Sequence, residues 1–368
     1  MKKIIFITLS LMSVMIVTQI IAVTSPNFVL KEETINVNGK KYDVKYAVID
    51  GKSGGVEIDY VLAFQHLFKR DEPEKIAQFS KAVAALNGPY HNESGGWSNY
   101  LFDCTYARDG KVVRIFNSGS NFCVTKNGQW LFGSPRFSVQ GTVQENLLPQ
   151  SLKTVYVSGV NQPPTSNSTT LYTDDWGDKT PNNYSSTCVV IQNSVVSNVQ
   201  VGPINIPSGA YVLVYTGKNR ERCDAKRWPK GYIKKGLHIN IYWKAESGNT
   251  VDLNKWRDCK VIFGGAPTVV KDGKNYWNLS ADKFTNYEAL SYDAERAAFG
   301  LGDGKVYLVT FKTAIKAQEE GPILLKLGVK NAFNLDGGCS TFLYFDGKTI
   351  NDNCRPLPSV IIARPKQK

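Results

Sequence analysis

An α+β fold of mainly antiparallel and mixed β-sheet, with a few packed helices in a single domain, is predicted by three features of the sequence. Asx-Gly pairs recur along it, at Asn38-Gly39, Asp109-Gly110, Asn127-Gly128, Asp272-Gly273, Asp303-Gly304 and Asp346-Gly347. Such pairs supply the left-handed backbone that a tight hairpin requires. The stretches between them are rich in β-branched and aromatic residues, which suit a pleated, half-buried surface. Helical spacing shows in only two places. With 368 residues and 42% hydrophobic composition, the chain can bury a sizeable core.

The elements follow in order. The chain opens on MKKIIFITLSLMSVMIVTQIIAVTS. Lys2 and Lys3 precede an uncharged apolar run over residues 4–23, the outline of a secretion signal. At about 20 residues the run is also long enough to cross a bilayer as a helix. No A-x-A cleavage site stands out, so residues 1–25 read either as a removed signal or as a retained membrane anchor. Both readings mean export, and the domain proper then runs over 28–368. Pro73 followed by EKIAQFSKA (74–82), with Ile76, Phe79 and Val83 at helical spacing, predicts a helix. It leads into AVAALNGPY, a short apolar strand ending at Asn87-Gly88. KVVRIF (111–116), TVYVSGV (154–160), AYVLVYTG (210–217), LHINIYW (237–243), KVYLVTF (305–311) and FLYF (342–345) read as strands. NQPPTSNSTT (161–170) reads as an exposed loop. A second helix is expected over residues 313–327, kinked or split at Gly321-Pro322. It leads into NAFNLDGGCSTFLYF (331–345), a strand that stops at Asp336, turns on two glycines and resumes. Two helix–strand units therefore each deliver a polar side chain and a glycine to a strand end, where a rigid sheet can hold a reactive group.

Charge and cysteine content narrow the context. Lys and Arg number 44 against 32 Asp and Glu, a net charge of +12. Scattered lysines account for this as solubility, and the balance also suits an anionic partner such as a surface polymer, a phospholipid head or a phosphorylated glycan. No basic block or aromatic-basic pattern points to nucleic acid. The seven cysteines, at 104, 123, 188, 223, 259, 339 and 354, lack the spacing of a zinc site; no metal ligand or cofactor is assigned, and metal dependence stays open. Cys104 with Cys123 and Cys339 with Cys354 are the expected disulfides, each pair being close in sequence across a strand-turn pattern. The odd count leaves at least one thiol free. Nothing in the sequence speaks to oligomeric state.

The residues able to carry chemistry are few. His66 and His238 lie in apolar and strand stretches, which leaves His91 as the histidine of interest. No G-x-S-x-G elbow, H-E-x-x-H or phosphate-binding loop is present. A Cys339/His91 dyad can be drawn, but Cys354 is close enough to claim Cys339 as a disulfide. Asp336 has the strongest local case, at a strand end beside Gly337 and Gly338, where backbone or ligand can come close. Arg296, in AERAAFG, is a cation among small residues and needs a partner. Arg355 follows Cys354, so a bridge there would hold it near the Asp336 turn. Gly264 and Gly265 form a second glycine pair at a strand end.

Together these residues resemble the phosphodiester glycosidase family. The family's closing motif N-L-D-G-G-G-S-T is similar to Asn334-Leu335-Asp336-Gly337-Gly338-Cys339-Ser340-Thr341, followed here by FDGKTIN and Arg355-Pro356. Its A-x-N-G-G-F/Y resembles Ala85-Leu86-Asn87-Gly88-Pro89-Tyr90. Its G-G-x-P before a D-G-K turn resembles Gly264-Gly265-Ala266-Pro267 and Asp272-Gly273-Lys274. Its R-x-A-x-G before a V-Y-L-V-T strand resembles Arg296-Ala297-Ala298-Phe299-Gly300 and residues 306–310. The motifs occur in family order over roughly residues 30–365. Cys339 stands where the motif has its third glycine, and Pro89 where it has a second glycine after Asn87; a Cβ and a rigid φ there narrow a pocket.

The resemblance implies an exported hydrolase that cleaves the bond from an anomeric carbon to a phosphodiester oxygen. Asp336 is then the electrostatic, base or nucleophilic carboxylate. Arg296 and Arg355 are expected to bind phosphate through the guanidinium fork. Asn87, Ser340 and Thr341 would position hydroxyls, with Gly88, Gly264, Gly265, Asn334, Gly337 and Gly338 forming the walls. A partner carboxylate is sought among Glu93, Asp174 and Asp175. Two alternatives stay open at this point: a non-catalytic glycan-binding module on the same fold, and a thiol enzyme using Cys339.

Overall fold

The computed structural model describes residues 18–52, 54–92, 101–144, 152–223, 233–246 and 253–367. Hairpins generate its architecture. At five of the six Asx-Gly pairs both residues have positive φ, from Asn38 (53°) and Gly39 (86°) to Asp346 (48°) and Gly347 (81°). That is the two-residue turn whose twist matches the strands it joins. At Asn127-Gly128 only Gly128 is left-handed (φ 85°), and the turn is longer, with the Gly128 and Gln129 positions both closing onto Thr125.

Four sheets result. One runs in the order Thr18–Ser25, Phe28–Val37, Lys40–Asp50, Lys305–Ile315, Ala294–Gly302, Asn331–Asn334, Thr268–Lys271, Lys274–Asn275. A second, also of eight strands, is built wholly from residues 136–246 and has its own apolar cluster around Val189, Leu213 and Ile239. A five-stranded sheet joins Lys111–Arg114, Tyr106–Arg108, Cys259–Gly265, Ser120–Thr125 and Trp130–Gly133. Another joins Lys348–Asn351, Leu343–Phe345, Ala84–Asn87, Ser359–Pro365 and Val56–Leu62. Among the described residues strand pairing is antiparallel apart from Gly159–Val160 against Thr169–Tyr172, so the expected mainly antiparallel fold with few helices holds.

The central core draws on all four sheets, through Ile49, Val190, Phe122 and Leu86 among others. At its middle Phe122, Phe263 and Phe333 surround Phe299 at centroid distances of 4.8, 5.2 and 5.2 Å, all four fully buried. This packing fixes the sheet that ends at the Asp336 turn.

Several expectations need correction. The first helix is Pro73–Phe79; it stops early because Ser80 turns its hydroxyl back onto the Ile76 carbonyl and Lys81 takes φ 53°. Ile76 is buried, but Phe79 is 76% exposed and Val83 lies beyond the helix. The second helix is only Glu320–Lys326, after a 3-10 turn over Ala317–Glu319. Residues 313–315 continue the strand Lys305–Ile315 instead, where Ile315 pairs with Ala294 and is fully buried. Gly321-Pro322 falls in the first turn, where proline forfeits no needed donor, so it starts the helix rather than splitting it. TVYVSGV divides into Leu152–Tyr156 and Gly159–Val160. The expected loop over 161–170 ends in strand, with Thr169 and Thr170 buried.

At the N-terminus, Thr18–Ser25 pairs antiparallel with Phe28–Val37, so the end of the expected leader joins a sheet edge. The remainder of that call, residues 1–17, lies outside the described residues. Among the described residues no helix is long and apolar enough to cross a membrane. Cys339 and Cys354 are bonded, with Cα atoms 4.8 Å apart. Cys104 and Cys123 are not, because Cys104 packs in the central cluster and Cys123 in a separate one around Trp256.

Phe299→Ala should destabilise the fold by about 3–5 kcal/mol, the range for emptying an aromatic core position. Denaturant unfolding measures it; a loss below about 1 kcal/mol would show that the four-ring cluster does not hold the sheets together.

Candidate active site

The two helix–strand units meet. The strands Ala84–Asn87 and Asn331–Asn334 belong to different sheets, yet their ends are clipped by the Asn87 amide. Asn87 Nδ2 donates to the Asp336 carbonyl (2.8 Å) and to that of Gly88 (3.1 Å), while Oδ1 accepts from Phe342 N–H (3.1 Å). Asn87 is fully buried, so its amide is spent on assembly rather than on a ligand.

Beyond the strand end the chain turns sharply. Asp336 Oδ1 accepts from Gly337 N–H at 3.0 Å. Gly338 has φ +58°, a left-handed value that favours glycine, and opens a 3-10 turn over Gly338–Ser340. At Gly337 a Cβ would lie 2.9 Å from the Glu295 carbonyl, so that glycine admits neighbouring chain rather than substrate. The turn aims Ser340 back at the carboxylate, and Ser340 Oγ donates to Asp336 Oδ2 at 2.6 Å. Arg355 Nη2 donates to the same oxygen at 2.8 Å, while Arg355 Nε donates to Ser340 Oγ at 2.9 Å. His91 Nδ1 stands 3.4 Å from Asp336 Oδ2. Cys354 N–H donates to the Cys339 carbonyl at 3.0 Å. The disulfide thus joins the residue before Ser340 to the residue before Arg355.

Asp336, Ser340 and His91 line a narrow cavity too tight for a water molecule, bounded also by Asn87, Gly88, Pro89, Leu357, Pro358 and Ser359. Asp336 is buried and Arg355 partly exposed. Among the described residues no group of three or more His, Cys, Asp or Glu side chains is arranged to hold a metal.

A second carboxylate, Asp103, lies near the cavity without lining it. The chain around His91 bridges to Phe102, and Asp103 N–H donates to the Tyr90 carbonyl at 2.7 Å, so Asp103 sits beside the His91 segment. Burial pushes the Asp103 carboxyl up to about 6; Arg114, 3.9 Å away, pulls it down, and the charge of Asp336 pushes it up. Of the sequence candidates, Asp174 and Asp175 line a different cleft, and Glu93 lies outside the described residues. The local sequence around Asp103, LFDC, carries no signal of this role.

The other predicted residues are distributed as follows. Arg296 is fully buried and outside the cavity: Nε, Nη1 and Nη2 donate to the carbonyls of Ile315 (3.1 Å), Ala289 (2.8 Å) and Tyr292 (2.7 Å). The expectation that Arg296 meets phosphate is corrected by these bonds. Thr341 is also buried, its hydroxyl donating to the Glu295 carbonyl at 3.2 Å. Asn334 donates to Tyr90 Oη at 2.9 Å behind the cavity wall. Gly264 and Gly265 lie inside the strand Cys259–Gly265, against Ser120 and Asn334, and do not line the cavity. Bonding of Cys339 to Cys354 removes the thiol-enzyme reading, since no free thiolate is left there. Sequence reasoning missed Asp103 and Ser359; the Ser359 hydroxyl is 2.7 Å from that of Tyr60.

Residues 185–364 match the phosphodiester glycosidase family, as the motifs around Gly264, Arg296 and Asp336 suggested; the Asn87 motif falls outside the matched range. No curated protein matches the sequence. Among solved structures, a protein from Synechocystis superposes with a TM-score of 0.77 at 20% identity, covering 92% of this chain and 62% of its own. The chain therefore spans less than two thirds of that relative. A protein from Burkholderia pseudomallei gives 0.67 at 16% identity, over 88% of this chain and 74% of its own. The zebrafish N-acetylglucosamine-1-phosphodiester alpha-N-acetylglucosaminidase catalytic domain, auto-inhibited by its pro-peptide, gives 0.49 at 13% identity, over 95% and 88%. For the Synechocystis and Burkholderia proteins the likeness is one of fold.

Replacing Cys354 by Ser should raise amide exchange across residues 352–358. It should also lower stability by about 3 kcal/mol, the chain-entropy value for a closed loop of about 15 residues. Unchanged exchange there would mean that Arg355 is held by its hydrogen bonds alone.

Proposed function

We propose that this chain, whose residues 185–364 match the phosphodiester glycosidase family, hydrolyses sugar-1-phosphodiesters outside the cytosol. The observation that carries the proposal is the fixed Asp336 carboxylate, bound by Ser340 and Arg355 at a cavity wall. The Cys339–Cys354 disulfide suits an oxidising compartment.

Cleavage at an anomeric carbon develops positive charge there, and a preorganised carboxylate stabilises that charge without having to reorient. Three of the groups around Asp336 serve this end. Ser340 is saturated between Arg355 and Asp336, so it orients the carboxylate rather than binding a sugar hydroxyl. Arg355 is the partly exposed cation of the site, and its fork is the group suited to the phosphate oxygens. Asp103, with its carboxyl pushed up to about 6, is suited to giving a proton to the departing oxygen near neutral pH. A phosphate monoester leaves more readily than an alkoxide, so one moderately placed acid is enough. The cavity is too narrow to take a sugar ring as it stands, so the sugar and aglycone would lie over its mouth, with the anomeric centre facing Asp336 and Arg355.

One observation favours a different reading, a glycan-binding module. The cavity is narrowed by Pro89, Leu357 and Pro358, and a closed wall of that kind suits recognition of a glycan end without turnover.

A panel of sugar-1-phosphodiesters tests the proposal. The parent should release free sugar and Asp336→Asn should lose about 10²–10³-fold in kcat, the scale for removing a preorganised electrostatic group. Saturable binding with no release across the panel would favour the module. The pH profile is a separate check. Asp103 acts as an acid only while protonated, so kcat/KM should hold below about pH 6 and fall roughly tenfold per unit above it. In Asp103→Asn that limb should disappear at a lower rate; a limb that persists would remove Asp103 from the acid role.

A further inference from the structure

A second, larger cavity of about 700 Å³ lies where the sheet of residues 136–246 meets the hairpin of Tyr106–Arg108 and Lys111–Arg114. It shares no lining residue with the Asp336 cavity, and its volume is within the roughly 300–1,000 Å³ of small-molecule sites. The hairpin contributes Arg108 and Lys111 to one wall, and the turn after Thr169–Tyr172 contributes Asp174 and Asp175 to the other. Ile239, Ile241 and the half-buried Tyr211 form an apolar floor.

Both walls are built rather than merely adjacent. Asn161, fully buried, donates from Nδ2 to the Val113 carbonyl and to Thr173 Oγ1, and accepts from Thr173 N–H at Oδ1, each at 2.9 Å. One side chain therefore pins the hairpin to the acidic turn. Asp175 Oδ2 accepts from Thr173 Oγ1 at 2.9 Å, and Asp174 Oδ2 from Gly209 N–H at 3.0 Å, so both carboxylates are oriented before any ligand arrives. At the rim, Asn193 and Ser194 have φ 51° and 61°. They form the two-residue turn that joins Ser186–Gln192 to Val195–Val201, with the same hairpin geometry as the Asx-Gly pairs.

We propose that this cleft binds a neutral oligosaccharide of roughly two or three sugar rings. Planar carboxylate and guanidinium groups match paired hydroxyls as acceptors and donors, and the C–H faces of a sugar pack on an apolar and aromatic floor. Arg108 and Lys111 are opposed by Asp109, Asp174 and Asp175, so the charges nearly cancel and no anionic ligand is selected. The site goes beyond the hydrolase reading and does not rest on it.

The test is binding of the full-length chain to an array of neutral oligosaccharides including maltotriose, cellotriose and chitotriose, followed by calorimetric titration of the best. Saturable binding is expected. Arg108→Ala and Asp175→Asn should each weaken it about tenfold or more, as expected for a lost hydrogen bond to a charged group. Asp336→Asn should leave binding intact. The proposal is overturned if folded protein saturates with no neutral glycan, or if binding survives Arg108→Ala with Asp175→Asn combined. Loss of binding in Asp336→Asn would assign the sugar to the other cavity, and preferential capture of mixed-charge peptides through Arg108 and Asp175 would replace the ligand class.

Discussion

Asp336 Oδ2 accepts from Ser340 at 2.6 Å and from Arg355 at 2.8 Å, and the second donor comes from an irregular segment. Residues 352–358 run between the strands Lys348–Asn351 and Ser359–Pro365. The ion pair and the bond from Cys339 to Cys354 hold the start of this segment, and the reciprocal backbone bonds of Leu357 with Asp71 and that of Ala63 N–H to the Pro358 carbonyl hold its end. A buried carboxylate left without such partners is costly, whereas one met by a charge-assisted fork is satisfied in place. The segment that brings Arg355 to Asp336 also closes the cavity, through Leu357 and Pro358. Geometry and charge balance at the site are one arrangement.

What could be read in the sequence follows from range. The hairpins were legible because Asx-Gly states its own backbone geometry, and five of the six pairs adopt it. Asp336 and Arg355 were legible because a strand end, a glycine pair and a neighbouring cysteine are local signals. Arg296 was misread for the opposite reason. The sequence displays a cation among small residues but not the three carbonyls, from Ala289, Tyr292 and Ile315, that surround it. Asp103 was invisible because its environment is made by Arg114 and by Asp336, which is far away in the chain. The second helix was drawn too long because residues 313–315 fit a helix by spacing, while pairing of Ile315 with Ala294 keeps them in a strand.

Arg296 still bears on the site. It underlies the Asp336 turn, with its Cδ 3.2 Å from where a Cβ on Gly337 would stand. Nearby, Glu320 is fully buried with neither carboxyl oxygen hydrogen-bonded, and burial raises it well above the usual carboxylate range while Arg296 draws it back. A guanidinium that ties the residues 289–292 segment and the end of Lys305–Ile315 together stiffens the floor beneath the turn. That is a framework contribution, and it explains why an arginine stands at this motif position without meeting a ligand.

The sheet that carries one side of the cavity has the order Lys348–Asn351, Leu343–Phe345, Ala84–Asn87, Ser359–Pro365, Val56–Leu62. Its fourth member, Ser359–Pro365, is inserted between two strands from much earlier in the sequence. Early and late residues thus share one hydrogen-bonded ladder, and closing it spans nearly the whole sequence, the kind of long-range pairing that forms slowly. Until that strand arrives, Val56–Leu62 and Ala84–Asn87 have open edges and Ser359 has no position at all. This side of the cavity is therefore complete only once residues 359–365 have found partners that lie some three hundred positions earlier.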